Sequence, residues 1–329
     1  MRHLVTGATG LVGSRVVDRL LARGDRVRAL VLEPEAVAGL QRRGVDVRPG
    51  DLSATADLTP ATHGVDTVIH CAGVVQASAR REDLWAVNVE GTERLLAAAA
   101  GAGRPRFVYV SSVGVYGHAP PPVREDAAKH PVGAYAQSKW AAEQAVWRYH
   151  SGRRLPVVVL RPCPIYGPGD RRITQALSRL GRMRLAPLPR GGRRLVDLVY
   201  VSDVADAVVA AATVPVAAGR AYNITDGESH TYRDLLLARA RVMGRRPVII
   251  PVPGRAVVMA LQLLMWLRQA GGRPGDWAGQ VERVRAFDLD MHYSIDAARR
   301  DLGYRPQVGL MQGFRQIFAP EEPGLGAPE

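Results

Sequence analysis

The amino-acid sequence predicts an α/β fold built on a doubly wound parallel sheet. Short apolar strands alternate with helical patterns through the first half of the chain, and most of the strands are unbroken apolar runs, as expected for strands buried on both faces. The first strand also leads directly into a glycine-rich turn and a helix. In such sheets, ligands bind at the carboxyl ends of the strands.

The glycine-rich turn predicts a dinucleotide site. A strand from His3 to Thr6 runs into Gly7-Ala-Thr-Gly10-Leu-Val-Gly13, and a helical pattern follows from Ser14 to Ala22. Glycines let the backbone pass close to a pyrophosphate, whose charge is met by the helix N-terminus. We therefore expect a Rossmann domain that binds NAD or NADP. The residues of the turn expected to contact it are Gly7, Thr9, Gly10, Leu11 and Val12.

The second strand, Arg26 to Leu32, indicates which cofactor is preferred. An acid at its end would bind the ribose 2′-hydroxyl of NAD, whereas an arginine would accept the 2′-phosphate of NADP. The residue that follows is Glu33, so the sequence favours NAD. Arg28 or Arg48 would reverse this preference if either faced the phosphate.

The third and fourth strands are expected to hold the remainder of the cofactor. The third ends at Asp51-Leu52, where Asp51 either meets the adenine or caps the following turn. The fourth, Asp66 to His70, is followed by Cys71-Ala72-Gly73, small residues that would let the cofactor lie close. We expect His70 and Cys71 to be structural rather than catalytic.

Three more features continue the alternating pattern. A long Ala/Leu-rich helix is predicted to start at Asn88-Val-Glu-Gly-Thr92, and a fifth strand, Phe107 to Val110, ends at Ser111-Ser112. A sixth strand is predicted over Pro156–Leu160. Residues 118–131 are either a solvated loop or a lid at the substrate entrance.

The C-terminal part is predicted to be interwoven with the sheet. Residues 1–162 would form the dinucleotide-binding domain, 163–194 a substrate cap, 195–226 a return to the sheet, and 227–329 a substrate-binding region. Within the return, Leu195–Val201 and Arg220–Ile224 are predicted strands and Ser202–Ala212 a predicted helix.

Tyr135-Ala-Gln-Ser-Lys139 is the candidate catalytic stretch. On a helix, residues i and i+4 share a face, so the phenol and the ammonium would enter the same cleft. A neighbouring ammonium lowers the pKa of a tyrosine and lets it exchange a proton with an alcohol. Only Lys129 and Lys139 among the 44 basic residues are lysines. A surface pair on an amphipathic helix is the alternative explanation of so short a pattern.

Composition excludes several other classes. The formal charge of +13 suggests nucleic acid, but the arginines are scattered and the aromatic content of 6% offers little for base stacking. Two cysteines, Cys71 and Cys163, predict neither a disulfide framework nor a metal site, and we expect a cytoplasmic protein without a signal peptide. The apolar segment 256–267 is shorter than the ~20 residues of a spanning helix. It would be core, a pocket wall or a peripheral membrane contact.

Taken together, these motifs resemble the extended short-chain dehydrogenase/reductase superfamily over nearly the whole chain. The matching elements, in chain order, are residues 6–13, Gly50-Asp-Leu52, Asn88, Ser111-Ser112, Tyr135 with Lys139, Arg161-Pro162 and residues 200–204. The resemblance implies that Ser112, Tyr135 and Lys139 are catalytic and that Asn88 supports them. It also implies cofactor contacts from Glu33, Asp51, Leu52, Cys71, Ala72, Gly73, Asn88, Tyr135, Lys139, Pro162 and Ile165.

Departures from the superfamily's patterns narrow the branch. Dehydratases carry an acidic pair where this chain has Val113 and Gly114. Nucleotide-sugar epimerases usually have asparagine at Pro164 and arginine near Val196. Residues 160–170 and 293–306 instead look like the 3β-hydroxysteroid and sterol-carboxylate dehydrogenase branch.

The expected function is therefore NAD(P)-dependent interconversion of a secondary alcohol and a ketone on a hydrophobic, steroid-like or polycyclic small molecule. A nucleotide-sugar 4-epimerase or reductase with the same triad is the alternative, and a cofactor-binding sensor without catalysis is a third. The resemblance also implies a homodimer.

Overall fold

A computed structural model describes residues 1–32, 37–54, 57–75, 79–170, 172–244, 247–257, 259 and 289–318. The described strands are β1 Arg2–Thr6, β2 Arg26–Val31, β3 Asp46–Pro49, β4 Thr67–His70, β5 Arg106–Val110, β6 Val157–Pro162, β7 Ile165–Tyr166, β8 Leu185–Pro189, β9 Leu195–Val196, β10 Val199–Tyr200, β11 Arg220–Ile224, β12 His230–Thr231 and β13 Val248–Val252. The α-helices are α1 Leu11–Ala22, α2 Val37–Arg42, α3 Thr59–Thr62, α4 Arg81–Trp85, α5 Gly91–Gly101, α6 Ala134–Arg153, α7 Ile173–Arg182, α8 Val201–Thr213, α9 Tyr232–Met243, α10 Asp296–Leu302 and α11 Leu310–Phe318.

Seven strands form one parallel sheet in the order β11-β6-β5-β4-β1-β2-β3. Side chains alternate between its two faces, so neighbours on β1 enter different cores. Val5 packs with α1 and α8, whereas Leu4 packs with α5 and α6. Helices therefore cover both faces, and the predicted doubly wound sheet is confirmed.

The six predicted strands are found within three residues of their expected ends, and the seventh, Arg220–Ile224, pairs with β6. The prediction for Leu195–Val201 was wrong. Leu195–Val196 pairs with β12 and Val199–Tyr200 with β7, each in a separate two-stranded sheet, and Val201 begins α8. The apolar run predicts burial, but it cannot specify which edge supplies the hydrogen bonds.

The helix expected at Asn88 also begins earlier. It starts at Arg81 as α4, passes through a π-helical turn over Ala86–Glu90 and continues as α5. Glu82 and Asp83 occupy the first turn, where carboxylates favour the positive end of the helix dipole. Asn88 therefore lies in the irregular π turn in the middle of this helical stretch.

Residues 118–131 are fastened at several points. Val123 donates its N–H to the His292 carbonyl at 2.8 Å and accepts from Ser294 at 3.0 Å. Arg161 donates to the Glu125 carbonyl at 2.9 Å. The stretch is thus a strap that joins the C-terminal segment to β6, rather than a freely solvated loop.

Candidate functional site

The glycine turn has the geometry that a pyrophosphate requires. Gly7 has φ of 69°, and a Cβ there would lie 2.7 Å from the Ala72 nitrogen. A Cβ on Gly13 would lie 2.1 Å from the Gly7 carbonyl oxygen. Gly10 is the N-cap of α1 and supplies no side-chain cap, so N–H groups of Leu11 and Val12 can meet an anion. The residues present therefore fit a dinucleotide.

The ends of β1 and β4 are joined directly beneath this turn. Thr6 Oγ1 is 2.7 Å from His70 Nδ1 and accepts from the Ala72 N–H at 3.3 Å. The other ring nitrogen of His70 is 2.9 Å from Thr92 Oγ1. Burial, together with the charge of Lys139, lowers the pKa of His70 to about 3. His70 is therefore a neutral link between strand and helix, in line with the structural role expected for it.

Asn88 holds the loop that follows β4. Its Oδ1 accepts from the Val74 N–H at 2.8 Å, and its Nδ2 donates to the Val74 carbonyl and to Ser138 Oγ, each at 3.0 Å. Ser138 Oγ in turn donates to the Tyr135 carbonyl at 2.8 Å. Asn88 thus ties residues 71–75, which carry Cys71, Ala72 and Gly73, to the helix of the triad. Ser138 is a residue that the sequence analysis missed.

Ser112 and Tyr135 meet at the carboxyl end of β5. Ser112 Oγ accepts the Gly114 N–H at 3.1 Å. Burial raises the pKa of Tyr135, while the charge of Arg172 and hydrogen bonding with the Ser112 side chain lower it. The expectation that Lys139 makes Tyr135 acidic is therefore corrected, because the opposing charge comes from Arg172.

Lys139 is directed toward the strand ends. Its Nζ donates to the Val110 carbonyl at 2.7 Å and lies 4.6 Å from the centre of the Tyr109 ring. A Cβ on Gly73 would be 3.7 Å from Nζ, so the ammonium borders the loop after β4. Burial lowers the pKa of Lys139 to about 8, against the raising effects of Cys71 and Glu143. Burial also raises the pKa of Cys71 to about 12, which keeps that thiol neutral.

A buried ion pair joins α6, which carries Tyr135 and Lys139, to β6. Glu143 and Arg161 are almost completely buried and form a bidentate pair, in which Arg161 Nε donates to Glu143 Oε2 at 3.2 Å and Nη2 donates to Oε1. Glu143 Oε2 also accepts from Ser111 Oγ at 2.9 Å, one residue before Ser112. Sequence reasoning missed Glu143, although Tyr135, Lys139 and Glu143 are spaced by four and share one helix face.

The same network reaches the strap at 118–131. Arg161 Nη1 donates to the Tyr116 hydroxyl at 2.6 Å, and that hydroxyl donates to Asn223 Oδ1 at 2.7 Å. The Asn223 N–H donates to Glu125 Oε1 at 2.9 Å. Helix α6, β6, β11 and the strap are therefore held by one set of polar contacts.

Arg172 spans the cleft between the two sides of the site. It follows Asp170, whose Oδ1 accepts its N–H at 2.8 Å, and its Nη1 donates to the Val75 carbonyl at 3.2 Å. The arginine thereby connects the start of α7 with the loop after β4.

Of the residues expected to contact the adenosine, Asp51 and Leu52 are described, and Glu33 lies outside the described residues. Asp51 accepts from the N–H and the hydroxyl of Ser53 at 2.7 and 2.8 Å, which is the turn-capping alternative. These bonds hold the pKa of Asp51 below its usual value. Leu52 is buried beside Gly91 of α5, where an added Cβ would lie 2.9 Å from the Leu52 Cβ.

Both arginines that could favour NADP are paired with Asp46. Arg28 is buried, with its Nε 2.8 Å from Asp46 Oδ2 and its Nη1 bonded to the carbonyls of Pro60, Ala61 and His63. Arg48 pairs with the same Asp46 at 3.0 Å.

Positions 164 and 196, where nucleotide-sugar epimerases usually have asparagine and arginine, carry uncharged residues in this chain. Val196 is buried in an apolar cluster with Tyr166 and Tyr200, and Pro164 offers only its carbonyl, which accepts from Val199 at 3.2 Å. Pro162 ends β6 and Ile165 begins β7, at the same edge as Ser112.

Of the segment 256–267, only residues 256, 257 and 259 are described. Within the described ranges, no helix is both long and apolar enough to cross a bilayer.

Known proteins with similar sequences cover this chain almost completely. One is a 4-hydroxy-2-methyl-3-oxo-4-farnesyl-3,4-dihydroquinoline-1-oxide ketoreductase of Stigmatella aurantiaca, 30% identical over 99% of this chain and 98% of that protein. A 2-alkyl-3-oxoalkanoate reductase of Stenotrophomonas maltophilia is 32% identical, over 97% and 99%. A 3-beta-hydroxysteroid dehydrogenase of Mycolicibacterium neoaurum is 30% identical, over 96% of this chain and 90% of that protein.

Solved structures give the same result for the fold. MoeE5 in complex with UDP-glucose and NAD superposes with a TM-score of 0.75 at 27% identity, covering 96% of this chain and 97% of that one. The family model of the NAD dependent epimerase/dehydratase family matches residues 3–225. With its glycine turn, its Ser112–Tyr135–Lys139 cluster and this match, the chain belongs to the NAD dependent epimerase/dehydratase family, within the extended short-chain dehydrogenase/reductases.

Proposed function

We propose that this protein is a ketoreductase or secondary-alcohol dehydrogenase that acts on a hydrophobic small molecule and uses NAD. The observation that carries the proposal is the meeting of Ser112 and Tyr135 beside a buried Lys139, at a strand end whose next residues, Val113 and Gly114, bring no acid or base. An elimination needs such groups, whereas proton exchange with a single alcohol does not.

In the proposed mechanism, a nicotinamide cofactor supplies or accepts the hydride at the reacting carbon. In the reductive direction, Tyr135 gives its hydroxyl proton to the carbonyl oxygen as that carbon is reduced, and Ser112 donates a hydrogen bond to the same oxygen. Arg172 favours the phenolate that remains, because its charge lowers the pKa of Tyr135. Lys139, fixed by the Val110 carbonyl, would hold the cofactor ribose.

The preference for an apolar substrate rests on the named activities of three relatives, on the buried Val196 and on the uncharged Pro164. The preference for NAD rests on Arg28 and Arg48, both of which are engaged by Asp46. Titration with NADH and NADPH, followed by nicotinamide fluorescence, tests the second preference. We expect NADH to bind more tightly.

Replacement of Tyr135 by Phe tests the mechanism. Loss of a general acid should lower turnover of an apolar ketone roughly 10²–10⁴-fold, while NADH affinity stays within about twofold. Tyr149→Phe on the same helix is the matched control and should retain turnover. Full activity of Tyr135→Phe would refute the assignment.

The second candidate is a nucleotide-sugar 4-epimerase. It is favoured by the similarity to MoeE5 and by a UDP-glucose 4-epimerase of Vibrio cholerae that is 26% identical over 95% of this chain. Thermal-shift measurements with the NAD-loaded protein separate the two candidates. Apolar ketones should raise the melting temperature if our proposal holds, and UDP-hexoses should raise it if the chain is an epimerase.

A further inference from the structure

The two faces of the β8–β13 pair have different surroundings. Its inner face packs Ala186 and Leu188 against Leu236 of α9, with Ile249 beside them. Side chains alternate along a strand, so the residues between these point outward. Leu185 pairs in register with Val248, and Pro187 with Ile250.

The outward residues are exposed. Leu185 is 54% and Val248 61% accessible, and Ile250 is also exposed. Six of the eleven exposed large hydrophobic side chains among the described residues fall within 183–185 and 243–259; they are Met183, Leu185, Met243, Val248, Ile250 and Met259. Three of these, Leu185, Val248 and Ile250, lie together on the outer face of the small sheet. Exposed apolar side chains that lie together in this way mark an interaction surface.

The two chain segments that supply this face are rich in arginine. Residues 171–194 contain eight arginines and no acid, and residues 235–259 contain five arginines and no acid. Arg182 and Arg184 flank the exposed Met183, and both are exposed themselves. Arginine can lay its apolar stem on such a surface while its guanidinium reaches a phosphate.

We propose that the outer face of the β8–β13 pair docks on the surface of an anionic lipid bilayer. Apolar burial and attraction to anionic headgroups are the two terms that drive interfacial binding, and this face supplies both. A second copy of the chain is disfavoured as the occupant, because a two-fold contact through this face would place its arginines against one another.

The outer face lies near one end of α7, and the cleft lies near the other end. Helix α7 runs from Ile173, next to the cleft-spanning Arg172, to Arg182, next to the face. Ten helical residues span about 15 Å. Docking would thus bring the cleft close to a substrate dissolved in the bilayer. Only this consequence rests on the proposed function, since docking itself is measured without turnover.

The test is co-sedimentation of the full chain with vesicles of phosphatidylcholine containing one-third phosphatidylglycerol, against vesicles of phosphatidylcholine alone. We expect at least tenfold stronger partitioning to the anionic vesicles, weakening as salt is raised. Val248→Glu should abolish it. Val216→Glu, the same change at an exposed valine of the turn over Pro215–Ala217, should leave it unchanged.

A second pair of variants tests the charges without altering the apolar face. Arg182→Gln with Arg184→Gln should weaken partitioning about 30-fold, since each basic residue near such a surface contributes close to a factor of five. Arg104→Gln with Arg153→Gln, two exposed arginines elsewhere, is the control.

Three results would overturn the proposal: equal partitioning to both kinds of vesicle, binding that survives Val248→Glu and Arg182→Gln with Arg184→Gln, or a homodimer that Val248→Glu dissociates. Binding of RNA in place of vesicles, with the same dependence on Arg182 and Arg184, would overturn it as well. Loss of turnover on apolar ketones with intact vesicle binding would instead count against the proposed function alone.

Discussion

Glu143 and Arg161 should be strongly coupled in their effects on stability, because both are buried and each neutralises the other. Arg161→Met leaves the Glu143 carboxylate with only Ser111 and Trp147 as neutral donors, at 2.9 and 3.2 Å. Removing one partner of such a pair costs about 3–5 kcal/mol, because an uncompensated charge stays buried. Glu143→Leu should lower the free energy of unfolding by a similar amount, because it leaves the Arg161 guanidinium buried without its carboxylate partner.

The double variant, Arg161→Met with Glu143→Leu, distinguishes the cost of burying a lone charge from the cost of lost packing. With both charges gone, the two costs should not add, and we expect a coupling energy of at least ~3 kcal/mol. The measurement is equilibrium urea unfolding of the wild type, both single variants and the double variant, followed by circular dichroism.

The matched control is Arg19 with Asp206, a similarly bidentate pair that joins α1 to α8 but is nearly half exposed. Its coupling energy should lie below about 1 kcal/mol, because solvent screens it. If the buried pair coupled no more strongly than this exposed pair, the argument from burial would be wrong.

Three further outcomes follow from the site. Gly13→Ala should abolish cofactor binding, because its Cβ would lie 2.1 Å from the Gly7 carbonyl oxygen, whereas Gly39→Ala, in open space on α2, should stabilise the protein by roughly 0.5–1 kcal/mol. The pKa of Lys139 is lowered to about 8, so the unfolded state holds more protons than the folded state between pH 8 and 10.5. In unfolding measured as a function of pH, the stability of the wild type relative to Lys139→Met should therefore rise by about 3 kcal/mol across that window. Asp197 is a buried residue between β9 and β10, and its Oδ2 accepts the Tyr293 N–H at 2.8 Å. Burial raises the pKa of Asp197 to about 6, so the folded state holds more protons between pH 4 and 6, and urea midpoints should fall through that window relative to Asp197→Asn. A flat difference with pH would contradict either titration.

The sequence by itself determined the parallel sheet, the glycine turn and the Tyr135–Lys139 pair. These features are local: alternation of strands and helices, a glycine where φ is positive, and a spacing of four on one helix. Such patterns fix backbone conformation and the face on which a side chain lies. They also placed Ser112 at a strand end, where ligands of such sheets bind.

Tertiary structure alone decided which charges act on which groups. The charge of Arg172 acts on Tyr135 from the start of α7, and Arg161 of β6 pairs with Glu143 of α6, so neither interaction has a spacing in the sequence. Burial has the same non-local origin, and it sets the pKa of Lys139 and of Tyr135. The small sheets formed by β9 and β10 show this for the backbone, because an apolar run determines that a strand is buried but not which partner it pairs with.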